Sequence, residues 1–114
     1  MNSLKISGNV GKDPVARTSK AGKKMASLTL AHSTGRDEYK KTIWFDVLCF
    51  DALAEEVLER VQKGNYIIVE GGFSIETYQK RDGGEGISYK ILANQIVFDP
   101  PRREQPVEEE FSAF

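Results

Sequence analysis

Residues 43–50 carry two kinds of side chain in strict alternation, and this pattern constrains the fold more than any other in the chain. Ile43, Phe45, Val47 and Cys49 fall on one side of an extended segment, and Trp44, Asp46, Leu48 and Phe50 on the other. Successive side chains of a strand point to opposite faces, so the two sets belong to different environments. The first set is uniformly apolar and suits a core. The second combines two large aromatic rings with a carboxylate, which fits neither a buried face nor an ordinary solvated one.

Period-two patterning recurs along the chain. Leu4, Ile6 and Val10 alternate with Lys5, Ser7 and Asn9, and Ala26, Leu28 and Leu30 alternate with Ser27 and Thr29, which predicts two further strands. Over residues 66–78, Ile67, Val69, Phe73 and Ile75 share one parity, and Glu70, Ser74, Glu76 and Tyr78 the other. Gly71 and Gly72 within this run predict a bulge or bend, the device that lets a long strand curl. A last strand is expected over residues 88–98, with an ambiguous inward face: Leu92 and Ile96 share one side, Ile91 and Val97 the other. Helical spacing appears once, over residues 51–63, through Leu53, Ala54, Val57, Leu58 and Val61. Asp51 is the expected N-cap and Gly64-Asn65 the stop. Turns are expected around Gly22, over residues 35–41 and at the hairpin tip 81–84. Five strands with one helix between the third and fourth is the order of an all-β OB-fold barrel.

The chain has 114 residues, enough for one such domain and little more. Pro100, Pro101 and Pro106 follow directly on Ile96-Val97-Phe98. Proline interrupts ladder pairing, so a folded domain over residues 1–99 and a disordered, flexible acidic tail over residues 100–114 are expected. No apolar run approaches the roughly 20 residues that span a bilayer, and the N-terminal residues lack the apolar segment of a signal peptide. A cytoplasmic protein, associated with the nucleoid, is the expectation, with no membrane partner. Cys49 is the only cysteine and His32 the only histidine, which leaves no disulfide and no zinc-ligand spacing. With no phosphate-binding glycine loop either, neither a metal, a cofactor nor catalysis is expected. His32 is expected to cap or line the second strand.

The formal net charge is −1, from 16 basic and 17 acidic residues, but the charges are segregated. Residues 1–41 hold nine Lys and Arg against three acids, whereas residues 104–114 hold four glutamates and no base. Without those last residues the surplus is +3, modestly favourable to a polyanion.

The order of local motifs is specific. Leu4-Lys5-Ile6-Ser7-Gly8-Asn9-Val10-Gly11-Lys12-Asp13-Pro14 with Arg17, then Trp44-Phe45-Asp46-Val47, Phe50 followed by Leu53-Ala54-Glu55, and Lys63-Gly64 leading into Val69-Glu70-Gly71, resembles the bacterial single-stranded DNA-binding proteins. The likeness runs from residue 3 to about residue 98. It implies an OB-fold that binds single-stranded DNA without sequence preference, protects strands exposed in replication, recombination and repair, and assembles, most often as a homotetramer.

By this resemblance Trp44, Phe50 and Tyr78 match base-stacking positions, and Tyr39 is a further candidate ring. Stacking of an unpaired base on an aromatic ring contributes roughly 1 to 3 kcal/mol and tolerates any base. The competing reading of Trp44 and Phe50 is burial in a core or subunit interface. Arg17, Lys20, Lys23, Lys24, Lys40, Lys41, Lys63, Lys80 and Arg81 are the candidate phosphate contacts, against the alternative of solvated charged loops. Asp46 and Glu76 stand where the family often has basic residues, and Ala52 where lysine is common, so weaker binding than the family norm and a steep salt dependence are expected. Glu108, Glu109, Glu110, Phe111 and Phe114 resemble the acidic tip through which the family recruits replication and repair proteins, with Ala113 where proline is usual. The plain alternative is a solubilising end. A primosome-type adaptor of the same fold, binding mainly replication proteins, is the second functional reading.

Overall fold

Apolar alternation is realised as a sheet that closes on itself. The computed structural model describes residues 1–101, and its elements in order are β1 (Leu4–Val10), β2 (Val15–Thr18), β3 (Lys24–Thr34), a 3-10 turn (Asp37–Tyr39), β4 (Lys41–Phe50), α1 (Asp51–Arg60), β5 (Tyr66–Gln79) and β6 (Glu85–Val97). Pairing runs β1-β5-β6-β4-β3-β2, and β1 also pairs with β3, so β1, β5, β6, β4 and β3 form a closed ring. All neighbours are antiparallel except β4 and β6. A parallel pair needs a long crossover, and α1 with β5 supplies it. This is the OB-fold barrel expected from the order of elements.

The expected first strand is present as β1, and a short strand that the alternation did not announce, β2, follows it. β1 and β2 lie along the same partner, with Val10 opposite Leu30 and Val15 opposite Ser27. Between them stands the segment 11–14, where Pro14 cannot donate to a ladder. β2 therefore forms a short flap beside the ring, and the helix falls between the third and fourth strands of the ring itself.

Val10, Ala26, Leu28, Leu30, Phe45, Val47, Cys49, Ile67, Val69, Ile91 and Ile96 fill the barrel, and Ala54, Val57 and Val61 close it from α1 and the residue after it. Burial pushes the Cys49 thiol up to about 12, which keeps it protonated and poorly nucleophilic. Phe45, Phe73 and Tyr89 pack together with centroids 6.1 to 6.5 Å apart. Ile43, assigned by parity to the core, is instead 40% exposed, because it precedes this ring cluster on β4 and projects beyond the filled barrel.

The ambiguity of the last strand comes from a bulge. Glu70 pairs with Gln95, but Gly71 pairs with Ala93, so Asn94 is an extra residue and the inward parity switches there. Ile91 faces inward before it and Ile96 after it, which leaves Leu92 and Val97 exposed. The β5 side of this irregularity must be glycine: a Cβ on Gly71 would run into the Leu92 carbonyl.

The helix differs from expectation at both ends. Phe50 is still extended and Asp51 is the first helical residue, with φ of 54° and no side-chain cap bond. The strand passes into the helix without a linker, so Asp51 absorbs the reversal rather than capping it; aspartate tolerates this left-handed conformation better than most residues. Its charge still suits the helix N-terminus. The helix stops at Arg60, with Val61 returning to extended geometry to reach the core. Gly64, with φ of 91°, turns the chain into β5.

Candidate nucleic-acid interface

The register brings the second face of residues 43–50 together with outward residues of its neighbours. On β4, Trp44, Asp46, Leu48 and Phe50 lie opposite Ala31, Thr29, Ser27 and Met25 of β3. On the other side Asp46 pairs with Lys90 of β6, and Lys90, Ser88 and Gly86 pair with Ser74, Glu76 and Tyr78 of β5. The outcome is one outer surface carrying two adjoining grooves. The first, about 470 Å³, is lined by Trp44 and Tyr78. The second, about 710 Å³, is lined by Phe50, Arg17 and Lys12. Asp46, Glu76 and Lys90 line both, so they form the waist of a single trough.

Two of the rings rest on glycines. Trp44 is 55% exposed and Tyr78 52%, too open for core residues. A Cβ on Gly11 would meet the Trp44 indole edge and the Thr29 hydroxyl, and a Cβ on Gly86 would meet the Tyr78 ring directly across the hairpin. The missing side chains leave room for each ring to lie against backbone. Phe50 is half-buried in the wall of the larger groove, in one row with Met25 and Arg17. Tyr39 is exposed on the 3-10 turn and lines neither groove.

At the waist, the Ser88 hydroxyl donates to Asp46 Oδ2 at 2.9 Å and Lys90 Nζ donates to Glu76 Oε1 at 3.2 Å. Lys90 thus offsets one of the two acids. Neither Lys90 nor Lys12 stands among the cations singled out from the sequence. The signal for Lys90 was its alternation with Tyr89 and Ile91, obscured by the parity switch at Asn94. Lys12 lies in the quoted Gly-Lys-Asp-Pro turn and could have been found there.

The expected phosphate contacts are dispersed. Arg17 alone of them lines the trough. Lys24 Nζ donates to Glu55 Oε1 on α1 at 2.6 Å; this hydrogen bond and the opposite charge raise the Lys24 pKa and lower that of Glu55. Lys20 and Lys23 flank the β2–β3 turn, closed by the Lys23 N–H donating to Ser19 Oγ at 3.0 Å. Lys63 follows the helix, its backbone N–H donating to Asp13 Oδ1 at 2.8 Å. Lys40 and Lys41 stand at the start of β4, and Lys80 and Arg81 at the hairpin tip beyond Tyr78. That tip is closed by the Lys80 N–H donating to the Gly84 carbonyl at 2.8 Å. His32 Nδ1–H donates to the Ser7 carbonyl at 2.7 Å, which joins β3 to β1. Glu108, Glu109, Glu110, Phe111 and Phe114 lie outside the described residues. Among the described residues no three His, Cys, Asp or Glu side chains are grouped to hold a metal ion, and no helix is long and apolar enough to cross a membrane.

Barrel, crossover helix and aromatic trough define an OB-fold with a ring-lined outer face. The model of the single-strand binding protein family matches residues 1–99, and the chain belongs to that family. It is 31% identical over 101 residues to a single-stranded DNA-binding protein of Xanthomonas campestris, covering 84% of this chain and 59% of that one. It is 30% identical over 103 residues to single-stranded DNA-binding protein 1 of Xylella fastidiosa, covering 84% and 75%. The chain thus spans less than two thirds of the Xanthomonas relative. Among solved structures, the small single-stranded DNA-binding protein from Streptomyces coelicolor superposes with a TM-score of 0.74 at 24% identity, over 87% of this chain and 96% of that one, a likeness of fold.

Proposed function

We propose that this chain binds single-stranded DNA without reading a defined sequence, by stacking bases on Trp44, Tyr78 and Phe50 while Arg17, Lys12 and Lys90 meet phosphates along the trough. The carrying observation is that two half-exposed rings lie on glycines at one end of a trough whose other end holds a third ring and an arginine. Rings presented in this way stack on any base, and nearby cations follow the backbone. Residues 1–99 are the DNA-binding domain in this reading, and the glutamate and phenylalanine tip of residues 100–114 recruits replication and repair proteins, the glutamates steering the encounter. One small trough per chain favours self-assembly, with a homotetramer as the expected form. The chain protects and organises exposed strands and catalyses no reaction.

Trp44 is the only tryptophan, so its emission reports directly on the trough. Titration with a mixed-sequence single strand at low salt is expected to quench it, a duplex of equal length to do so far less, and added salt to reverse binding. Unchanged emission with no mobility shift would refute the proposal. The acidic waist gives the adaptor reading its support; that reading predicts capture of replication proteins by a chain with no measurable single-strand affinity.

A further inference from the structure

The waist of the trough carries chemistry that stacking and phosphate contact do not use. Asp46 stands between Trp44 and Phe50 on the outward face of β4, and Glu76 lies two residues before Tyr78 on β5. Trp44 and Phe50 are about 20 Å apart along the strand, so DNA stacked on both must carry at least one nucleotide across these acids. Each carboxylate has one oxygen engaged, Asp46 Oδ2 by Ser88 and Glu76 Oε1 by Lys90. The second oxygen of each has no partner in these two bonds. The Glu76–Lys90 pair is open to solvent, with side chains 56% and 44% exposed, so an incoming group displaces water there and leaves the ion pair intact.

A carboxylate repels phosphate and has only lone pairs to offer. The part of DNA that it can accept is a base N–H. Cytosine presents its N4 amine, adenine its N6 amine and guanine its N2 amine, whereas thymine's one donor, N3–H, lies between two carbonyl oxygens whose lone pairs also face the carboxylate. We infer that Asp46 and Glu76 make the trough select bases bearing an exocyclic amine, cytosine over thymine in particular. The inference rests on the single-strand reading above. It adds a compositional preference to binding that has no defined sequence.

The test compares oligo-dC and oligo-dT of equal length, titrated into the full chain at slightly alkaline pH, where cytosine strands do not pair with one another. The wild type is expected to bind oligo-dC about fivefold or more tighter, the lower end of what one well-formed carboxylate–amine contact discriminates. In the Asp46→Asn, Glu76→Gln double variant each amide can donate as well as accept, so the ratio should fall toward one while affinity for oligo-dT rises. Both side chains are exposed, and the two single variants provide the same comparison if the double variant is damaged. Equal binding of the two oligonucleotides by the wild type, or a ratio unchanged in the variants, overturns the inference. Binding without preference leaves the single-strand reading standing, whereas failure of both oligonucleotides and of the mixed-sequence strand removes both.

Discussion

Trp44 and Gly11 are best understood as one device. A tryptophan on the outer face of a strand has rotamer freedom that a base must quench on stacking, and ordering a side chain costs free energy. With the indole edge lying where a Cβ on Gly11 would be, the ring is positioned in the free protein, as the proposed stacking requires. Gly86 does the same for Tyr78, the pairing by which an aromatic side chain covers a glycine across a ladder. Gly11 does not have a positive φ, so alanine there is tolerated by the backbone and its effect falls on the ring and on the neighbouring Thr29 hydroxyl. Gly11→Ala is expected to shift Trp44 emission in the free protein and to weaken single-strand binding about tenfold, within the stacking contribution of one base. Gly86→Ala should weaken binding similarly and leave the free emission unchanged. Emission spectra and titrations of the two variants check this, and a Gly11→Ala protein with wild-type emission and affinity would contradict it.

Within elements, what could be read from sequence was whatever a single period carries. The faces of β3, β4 and β5 follow from uninterrupted alternation except at Ile43 and Ile75, which share the core parity but lie beyond the filled barrel and are exposed, and the trough was legible in the odd company of Trp44, Asp46 and Phe50. Where the period breaks, the reading breaks with it. Asn94 inserts one residue into β6, so Leu92 and Ile96 looked like partners although one is exposed and the other buried, and Lys90 could not be assigned to the trough. Asp51 has the chemistry of a cap, but the strand leads into the helix with no residue to spare. Basic residues were the least legible, since a lysine's sequence position says little about what lies opposite it. Arg17 reaches the Phe50 groove from β2, whereas Lys24, on the neighbouring strand, pairs with Glu55 on the helix. Arg17→Ala is therefore expected to reduce the slope of log affinity against log salt by about 0.7, the value for one phosphate on a single strand. Lys24→Ala should change that slope little. Titrations of both variants at several salt concentrations check the contrast, and equal slopes for the two would show that the Lys24–Glu55 pair opens to DNA.

At the scale of the whole molecule, the overall charge of −1 misdescribes the binding surface. A surplus of +3 on residues 1–103 is followed in sequence by four glutamates in residues 104–114, and under the proposed function the tail and a DNA strand, both polyanions, would compete for the same cations. Asp46 and Glu76 occupy the centre of the trough, and among the described residues Arg17, Lys12 and Lys90 are the cations that line it, so competition for them weighs more than it would in a strongly basic groove. Removing residues 104–114 is accordingly expected to tighten single-strand binding severalfold at low salt. The gain should shrink as ionic strength rises past about 0.1 M, where the screening length falls to about 10 Å. Parallel titrations of the full and shortened chains across salt decide the matter: a gain that persists at high salt would point to tail contacts of another kind, and no gain at low salt would separate the tail from the trough altogether.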